Sequence, residues 1–279
     1  MKIALTGASS RIGQTIRSLF NELGHEVFSL VRNPVNESDK KFDLSQPTPP
    51  DLLHSMDLLV HIGWDRSRNY EESIEINRTG GLKLLDACAQ TGTLPILLST
   101  MSVHASLSKY GMTKLILENR VLELSGRVVR SGLIWGDELS GFLLTIERIA
   151  KIPIFRPQLR PDPDLYHSEV NTLAECITVV SLSRDSPTVI SAIAKDSVKL
   201  NELMMAMGSK HGIKMPVPAK IVHKASEKLE RLGLKLPFNS DSISGILENV
   251  NEDEILMSRL RGIDFPSSDK FLEWVKSTR

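Results

Sequence analysis

Apolar positions along the chain follow two alternating rhythms. Residues 2–6 form a short apolar run that stops at Gly7. From Ile12 the apolar residues recur at helical spacing, with Ile12, Ile16, Leu19 and Leu23 on one face, until Gly24 stops the helix. Residues 25–31 read as a second strand ended by Pro34, and residues 40–44 as a short third strand before the stiff Pro47-Thr48-Pro49-Pro50 connection. Residues 57–63 are almost continuously apolar, the pattern of a strand covered on both faces of a parallel sheet. A helix is predicted over residues 71–90, carrying Ile74, Leu82, Leu85 and Ala89 inward. A strand over 94–100, a helix over 110–124 and a strand over 127–130 follow.

Strands alternating with helices at this spacing specify a parallel sheet with right-handed crossovers and helices on both faces. No period of 20–50 residues recurs, which argues against a solenoid. After about Gly136 the alternation loosens. Residues 152–166 contain four prolines and read as irregular structure, followed by helices over 170–182, 200–208, 219–232 and 268–276 and a strand over 188–194. The predicted fold class is α/β. It is a Rossmann-type doubly wound parallel sheet over residues 1–136, with a smaller, partly interleaved C-terminal substrate-binding region over residues 137–279.

Composition narrows the picture. A chain of 279 residues with 41% hydrophobic and 24% charged positions is that of an ordinary globular protein. Thirty-four basic and thirty-four acidic residues cancel, so no net charge draws it to nucleic acid or an anionic membrane. No apolar run approaches the roughly 20 residues that span a bilayer. Met1-Lys2-Ile3 enters the first strand with no charged leader, and two cysteines, Cys88 and Cys176, are too few for a disulfide framework. These features predict a cytoplasmic protein whose partner is a small molecule rather than nucleic acid or membrane. The seven histidines form no H-x-x-x-H or H-E-x-x-H pair, so no catalytic metal is expected.

The first sixty residues are more specific. A strand, then Thr6-Gly7-Ala8-Ser9-Ser10-Arg11-Ile12-Gly13, then a helix is the context of a dinucleotide site. Glycines permit the tight turn and the close approach of a pyrophosphate, and the helix N-terminus offers N–H groups and partial positive charge. Gly7 and Gly13 hold the outer positions, whereas Ser10 stands where G-x-x-G-x-x-G has its middle glycine, and Arg11 where G-x-x-x-G-x-G would. At the end of the second strand, Val31-Arg32 replaces the carboxylate that would hold the ribose hydroxyl of NAD. A guanidinium there suits a 2′-phosphate, the alternative being an exposed loop charge. Asp43 is placed to accept the adenine amino group or, alternatively, to cap its own loop.

Thr6-Gly7-Ala8, Asp43-Leu44, His61-Ile62-Gly63 and Asn77-x-x-Gly80 together resemble the extended short-chain dehydrogenase/reductases, closest to the NAD-dependent epimerase/dehydratase group, whose members mostly act on nucleotide sugars. The resemblance covers residues 1–136 well and the remainder loosely. It implies that Ser9, Ser10, Arg11, Ile12, Leu44, Ile62, Gly63 and Asn77 lie along the cofactor, with Gly63 replacing the usual alanine. Tyr110-Gly-Met-Thr-Lys114 matches the family's Tyr-x-x-x-Lys, and Thr100-Met-Ser-Val-His104 aligns with its Ser/Thr-x-x-Val-Tyr-Gly. Ser99 and Ser102 are the fallbacks for Thr100. The implied roles are Tyr110 as acid/base, Lys114 as ribose ligand and electrostatic partner that lowers the Tyr110 pKa, and Thr100 as donor to the substrate oxygen.

Three departures separate the chain from that pattern. His104-Ala105 replaces Tyr-Gly, only nine residues separate Thr100 from Tyr110, and Glu169-Val-Asn-Thr-Leu-Ala174 lacks the histidine and aspartate of His-Val-x-Asp-Leu-Ala. The short spacing predicts a substrate pocket that is more open or differently closed. Arg130 to Gly136 resembles the strand whose loop contacts cofactor and substrate. Of the remaining residues, His61 reads as a core histidine, Trp64 as a cleft-lining or packing residue, Met204, Met205 and Met207 as core, and Arg156 and Arg160 as diphosphate clamps or loop charges.

The resulting expectation is an NAD(P)-dependent oxidoreductase reducing a carbonyl of a nucleotide sugar, with NADP (NADPH) favoured over NAD. The alternatives are an epimerase with tightly bound NAD and a non-catalytic NAD(P)-binding sensor. Relatives pair through the two helices that here span residues 71–90 and 110–124, so a homodimer is expected, with a monomer as the alternative because both helices must also cover the sheet.

Overall fold

The computed structural model describes residues 1–66, 69–105, 108–139, 141–151, 155–183, 185–208, 213–231, 240–247 and 262–278. The first half runs β1 (Lys2–Thr6), α1 (Arg11–Glu22), β2 (Glu26–Val31), β3 (Asp39–Lys41), β4 (Leu58–His61), α2 (Tyr70–Thr91), β5 (Leu94–Thr100), α3 (Lys109–Glu123) and β6 (Arg127–Ser131). The second half adds β7 (Leu133–Trp135), α4 (Gly141–Ala150), β8 (Phe155–Arg160), β9 (Asp164–Leu165), β10 (His167–Glu169), α5 (Val170–Leu182) and β11 (Val189–Ala192). It continues through β12 (Val198–Lys199), α6 (Leu200–Met207), β13 (Ile213–Pro218), α7 (Ala219–Arg231), α8 (Ser240–Leu247) and a final described helix, Ser268–Ser277.

Seven strands make one parallel sheet in the order β3-β2-β1-β4-β5-β6-β11. The order reverses beside β1, and ligands of open α/β sheets bind outside the carboxyl ends of the strands at such a point. Every residue of β4 is buried, as its unbroken apolar run predicts for a central strand with both faces covered. Ile3, Leu5, Val60, Ile96, Leu98 and Val129 pack one face of the sheet against α1 and α5, while Ala4, Leu59, Leu97 and Val128 pack the other against α2 and α3. A separate cluster in the second half joins Trp135, Leu143, Ile146, Leu203, Met207 and Phe271. Because α5 and β11 return to the large sheet, the two halves are interleaved.

Several predicted details change. The third strand is Asp39–Lys41, and Phe42 continues only as one N–H bond of 2.8 Å to the Val31 carbonyl. In α1 the buried stripe is Ile12, Ile16 and Phe20, while Leu23 lies past the last turn and is exposed. In α2 Ala89 faces solvent, and Ile74 and Leu82 are only partly buried. Leu85 is buried as predicted, and the rest of the inward face is Ser73, Asn77, Gly80, Gly81, Leu84, Ala87 and Cys88. Small residues face inward because the helix backbone comes so close: a Cβ on Gly80 would meet the Leu44 carbonyl oxygen at 2.1 Å. A rule that seeks large apolar residues misreads such a face.

The described part of the predicted irregular stretch forms strands. β8 pairs in parallel with β13 from Phe155 to Arg160 despite Pro157, Pro216 and Pro218. In a two-stranded pair half of the N–H groups point away from the partner, and proline is tolerated there. Residues 152–154, the Arg156 side chain and the predicted helix end at 232 lie outside the described residues.

Candidate active site

The turn between β1 and α1 is as tight as its two glycines allow. Gly7 adopts φ +70°, and a Cβ on Gly13 would stand 2.3 Å from the Gly7 carbonyl oxygen. Ser10 is the N-cap of α1: its Oγ accepts from Gly13 N at 3.2 Å and donates to the Gly7 carbonyl at 2.7 Å. Thus Ser10 does by side-chain capping part of what a middle glycine does by backbone freedom. Ser9 and Arg11 are exposed beside it, and Ile12 turns into the core. Among the described residues no acceptor takes the N–H of Arg11 or Ile12, the first two of the helix. A glycine turn opening onto unpaired first-turn N–H groups fits the pyrophosphate of a dinucleotide.

Thr6 joins this turn to the next strand. Its hydroxyl accepts from the N–H groups of Ile62 (3.1 Å) and Gly63 (2.9 Å) and lies 2.8 Å from His61 Nδ1. With both N–H bonds received, the hydroxyl proton goes to Nδ1, leaving His61 neutral with its proton on Nε2. Burial lowers the His61 pKa to about 3, and the nearby Lys114 ammonium adds to the effect. His61 is therefore a core residue.

The other predicted cofactor residues are spread along the same edge. Arg32, at the end of β2, has an exposed side chain whose Nη1 lies 4.0 Å from Asp65 Oδ2. Asp43 Oδ1 accepts from Ser45 N at 2.9 Å and Ser45 Oγ at 2.8 Å, so it caps its own loop. Leu44 places its carbonyl against Gly80. Asn77 is buried and clamps the loop after β4: Oδ1 accepts from Asp65 N at 2.8 Å, and Nδ2 donates to the carbonyls of Asp65 (2.9 Å) and Ser73 (2.7 Å). Its amide is engaged with backbone and fixes that loop.

Thr100, Tyr110 and Lys114 come together at the carboxyl end of β5. The Thr100 side chain lies close enough to the Tyr110 hydroxyl to lower its pKa. Thr100 Oγ1 also accepts from Ser102 N (3.2 Å) and donates to Ser102 Oγ (3.3 Å), starting the 3-10 turn Met101–His104. The Trp64 ring meets the Tyr110 ring edge-on at 4.8 Å, and Lys114 Nζ lies 5.0 Å over the same indole. Trp64 thus both packs and borders the reactive pair.

The expected lowering of the Tyr110 pKa is corrected. Burial raises it above the ordinary phenol value, and the Arg66 charge and the Thr100 side chain offset this only partly. Lys114 is directed elsewhere, its Nζ donating to the Leu98 carbonyl at 2.8 Å. Burial pulls the Lys114 pKa down to about 8, opposed by the neighbouring Glu118 carboxylate. At neutral pH Tyr110 is a phenol and Lys114 an ammonium, the states of a proton donor and a fixed cation.

Sequence reasoning missed the supports behind these groups. Glu118, almost fully buried one helical turn beyond Lys114, forms a bidentate pair with Arg130, 3.0 Å from Nε and 2.7 Å from Nη2. Arg130 Nη1 in turn lies 3.2 Å from His104 Nε2. An acid four residues after Lys114 on a buried helix face was a readable signal. Asp241 on α8 was not: it accepts from residues 131 to 171 positions away. The short spacing before Tyr110 is closed by α8, where a Cβ on Gly245 would stand 3.4 Å from Ser102 Oγ. Among the described residues no group of three or more His, Cys, Asp or Glu is arranged to hold a metal, and no helix is long and apolar enough to cross a membrane.

With this geometry the chain matches known structures over 92–100% of its length. Pal from Bacillus thuringiensis matches with a TM-score of 0.70 and 17% identity over 100% of both chains. The UDP-glucose 4-epimerase of Thermotoga maritima, determined with UDP-glucose, matches at 0.66 and 16% over 100% of this chain and 97% of that one. The fold is that of the nucleotide-sugar epimerases. The Thermus thermophilus UDP-glucose 4-epimerase in complex with NAD gives 0.59 and 17%, over 92% of this chain and 99% of that one. No family model matches the chain. In sequence, an uncharacterised protein of Mycobacterium tuberculosis (strain H37Rv) is 28% identical over 160 residues. That match spans 55% of this chain but only 17% of the relative's length.

Proposed function

We propose that this protein is an NAD(P)-dependent oxidoreductase of the epimerase/dehydratase type that reduces a 4-keto nucleotide sugar, with NADPH preferred over NADH. The observation that carries the reading is the gathering of Thr100, Tyr110 and Lys114 around Trp64 at the carboxyl end of β5, on the sheet edge that also bears the β1–α1 glycine turn. UDP-glucose and NAD in two structures of the same fold support the substrate class and the dinucleotide.

Gly7, Ser9, Ser10, Arg11, Ile12 and Gly13 would hold the pyrophosphate, Arg32 the 2′-phosphate, and Ile62 and Gly63 the inner edge. A reduced nicotinamide bound there supplies a hydride. Thr100 donates a hydrogen bond that orients the substrate carbonyl oxygen. Tyr110, kept protonated by burial, gives its proton to that oxygen as it becomes an alcohol. Lys114, held on the Leu98 carbonyl, keeps a positive charge near the site, and Arg66 is the cation that favours the phenolate left behind.

The test is depletion of NADPH or NADH from solution with a panel of 4-keto nucleotide sugars and simple aldehydes. NADPH loss with a nucleotide sugar is the expected result. Interconversion of sugars without net loss would replace the reductase with an epimerase, and binding without turnover would replace it with a sensor.

A further inference from the structure

Helix α3 begins at the residue before Tyr110, and its first turn is held from outside its own neighbourhood. Ser108 Oγ accepts from Gly111 N at 3.0 Å, the ordinary local cap. The two N–H groups that this cap leaves, Lys109 and Tyr110, are both taken by Asp241, Tyr110 N at 3.2 Å. The same carboxylate accepts from Ser108 Oγ at 3.0 Å and from the hydroxyl of Tyr70, the first residue of α2. Asp241 is buried, and its four donors all belong to the first half of the chain. One helical turn further on, Gly245 lies against Ser102 and Ser108. So α8 is fastened across the turn Met101–His104, which Thr100 caps, and the start of α3, which bears Tyr110.

We propose that Asp241 is a positioning residue for Tyr110, through which the C-terminal half holds the phenol in register with Thr100. The inference rests on the reading of Tyr110 as proton donor, but its geometric part stands without it. The carboxylate bonds the backbone N–H of Tyr110 itself, so a displacement at Asp241 is passed to the phenol through one rigid residue. Negative charge at the N-terminus of α3 also suits the helix dipole, which makes the anion rather than a neutral amide the fitting group. A site assembled this way is complete only when α8 is docked, which ties the acid/base to the half of the chain expected to receive the substrate.

Asp241→Asn is the first test, because it keeps one acceptor oxygen and replaces the other with an amide that accepts nothing. A misplacement of order 1 Å costs up to about a hundredfold in rate. The expected result is a fall of about tenfold to a hundredfold in kcat, a cofactor KM within about twofold, and partial recovery in Asp241→Glu. A second readout needs no activity. The chain has three tyrosines, Tyr70, Tyr110 and Tyr166. With tyrosine labelled at the hydroxyl-bearing ring carbon, and each resonance assigned from its Tyr→Phe variant, Asp241→Asn should move or broaden the Tyr110 signal and leave Tyr166 in place. If Asp241→Asn does not fold, Asp241→Ser, which lacks the carboxylate, carries the same comparison. An unmoved Tyr110 resonance in a folded variant, or a kcat within threefold of the unmodified protein, would overturn the proposal. A moved resonance with no turnover in any variant would keep it and remove the reductase reading instead.

Discussion

The Lys114 ammonium donates a hydrogen bond to the Leu98 carbonyl, 2.8 Å away on the strand that ends at Thr100. The bond fixes a cation in a site where burial opposes charge, and its pKa falls from 10.5 to about 8. Between those values the unfolded chain binds a proton that the folded chain has released, so stability rises with pH from about 8 to about 10.5. Below pH 8 the cost of burying the ammonium is present in full. Thermal unfolding of the protein and of Lys114→Met should therefore diverge in favour of the unmodified protein above pH 8. The slope should reach at most about 1.4 kcal/mol per pH unit. A difference that stays constant from pH 7 to 9.5 would remove the buried cation from the account.

Tyr110→Phe removes the proton donor while keeping the ring that meets Trp64 edge-on at 4.8 Å. Fold and cofactor affinity should persist, and turnover should drop by about two to four orders of magnitude, the usual worth of a positioned acid/base. Turnover within threefold of the unmodified protein would exclude Tyr110 from the reaction. Lys114→Ala should in addition weaken cofactor binding, measured by fluorescence titration.

The sheet and the grouping of Thr100, Tyr110 and Lys114 were readable because each rests on local pattern. An apolar run such as Leu58–His61 has one stable place in a parallel sheet, and Tyr110 and Lys114 share a helix face by their four-residue spacing. What escaped depends on contacts between distant residues. Asp43 Oδ1 and the Asn77 amide hold loops, with Ser45 and the Asp65 backbone within 3 Å of them, a role that the sequence pattern does not show. The direction of the Tyr110 pKa was misjudged because spacing gives proximity to a lysine but not where the ammonium points. Leu98 takes it, and burial decides the phenol.

Assembly is tested on the outer face of α3. Met112 and Ile116, one turn apart, are 43% and 36% exposed there, and Arg120 Nη2 binds Asp86 of α2 at 2.8 Å beside them. Two large apolar side chains on a helix face next to α2 suit a second copy of the same surface, and a homodimer through α2 and α3 is the expected state. Light scattering at micromolar concentration should give twice the 31.0 kDa chain mass. Met112→Glu with Ile116→Glu should return it to one chain. A mass of one chain for the unmodified protein would reject the dimer.

Cofactor choice turns on Arg32. Its guanidinium is exposed at the end of β2 and leans toward Asp65, whose carboxylate is almost fully covered and lies 4.0 Å away. At that separation the two share no hydrogen bond, and the planar donor fork is open to a dianion. Val31 places no carboxylate beside it to repel a phosphate. A charge-assisted bond to the 2′-phosphate contributes about 1.5–3 kcal/mol, or roughly ten- to a hundredfold in affinity. NADPH should therefore bind more tightly than NADH by that factor. Arg11, exposed on the glycine turn, offers a second contact, so Arg32→Ala should remove part of the preference and the double variant Arg11→Ala, Arg32→Ala the rest. Asp65→Asn gives the converse check: with the competing carboxylate gone, Arg32 is held only by its ligand, and the preference for NADPH should grow. Fluorescence titration of both reduced cofactors measures each of these constants, and equal dissociation constants, or tighter NADH, in the unmodified protein would sink the assignment.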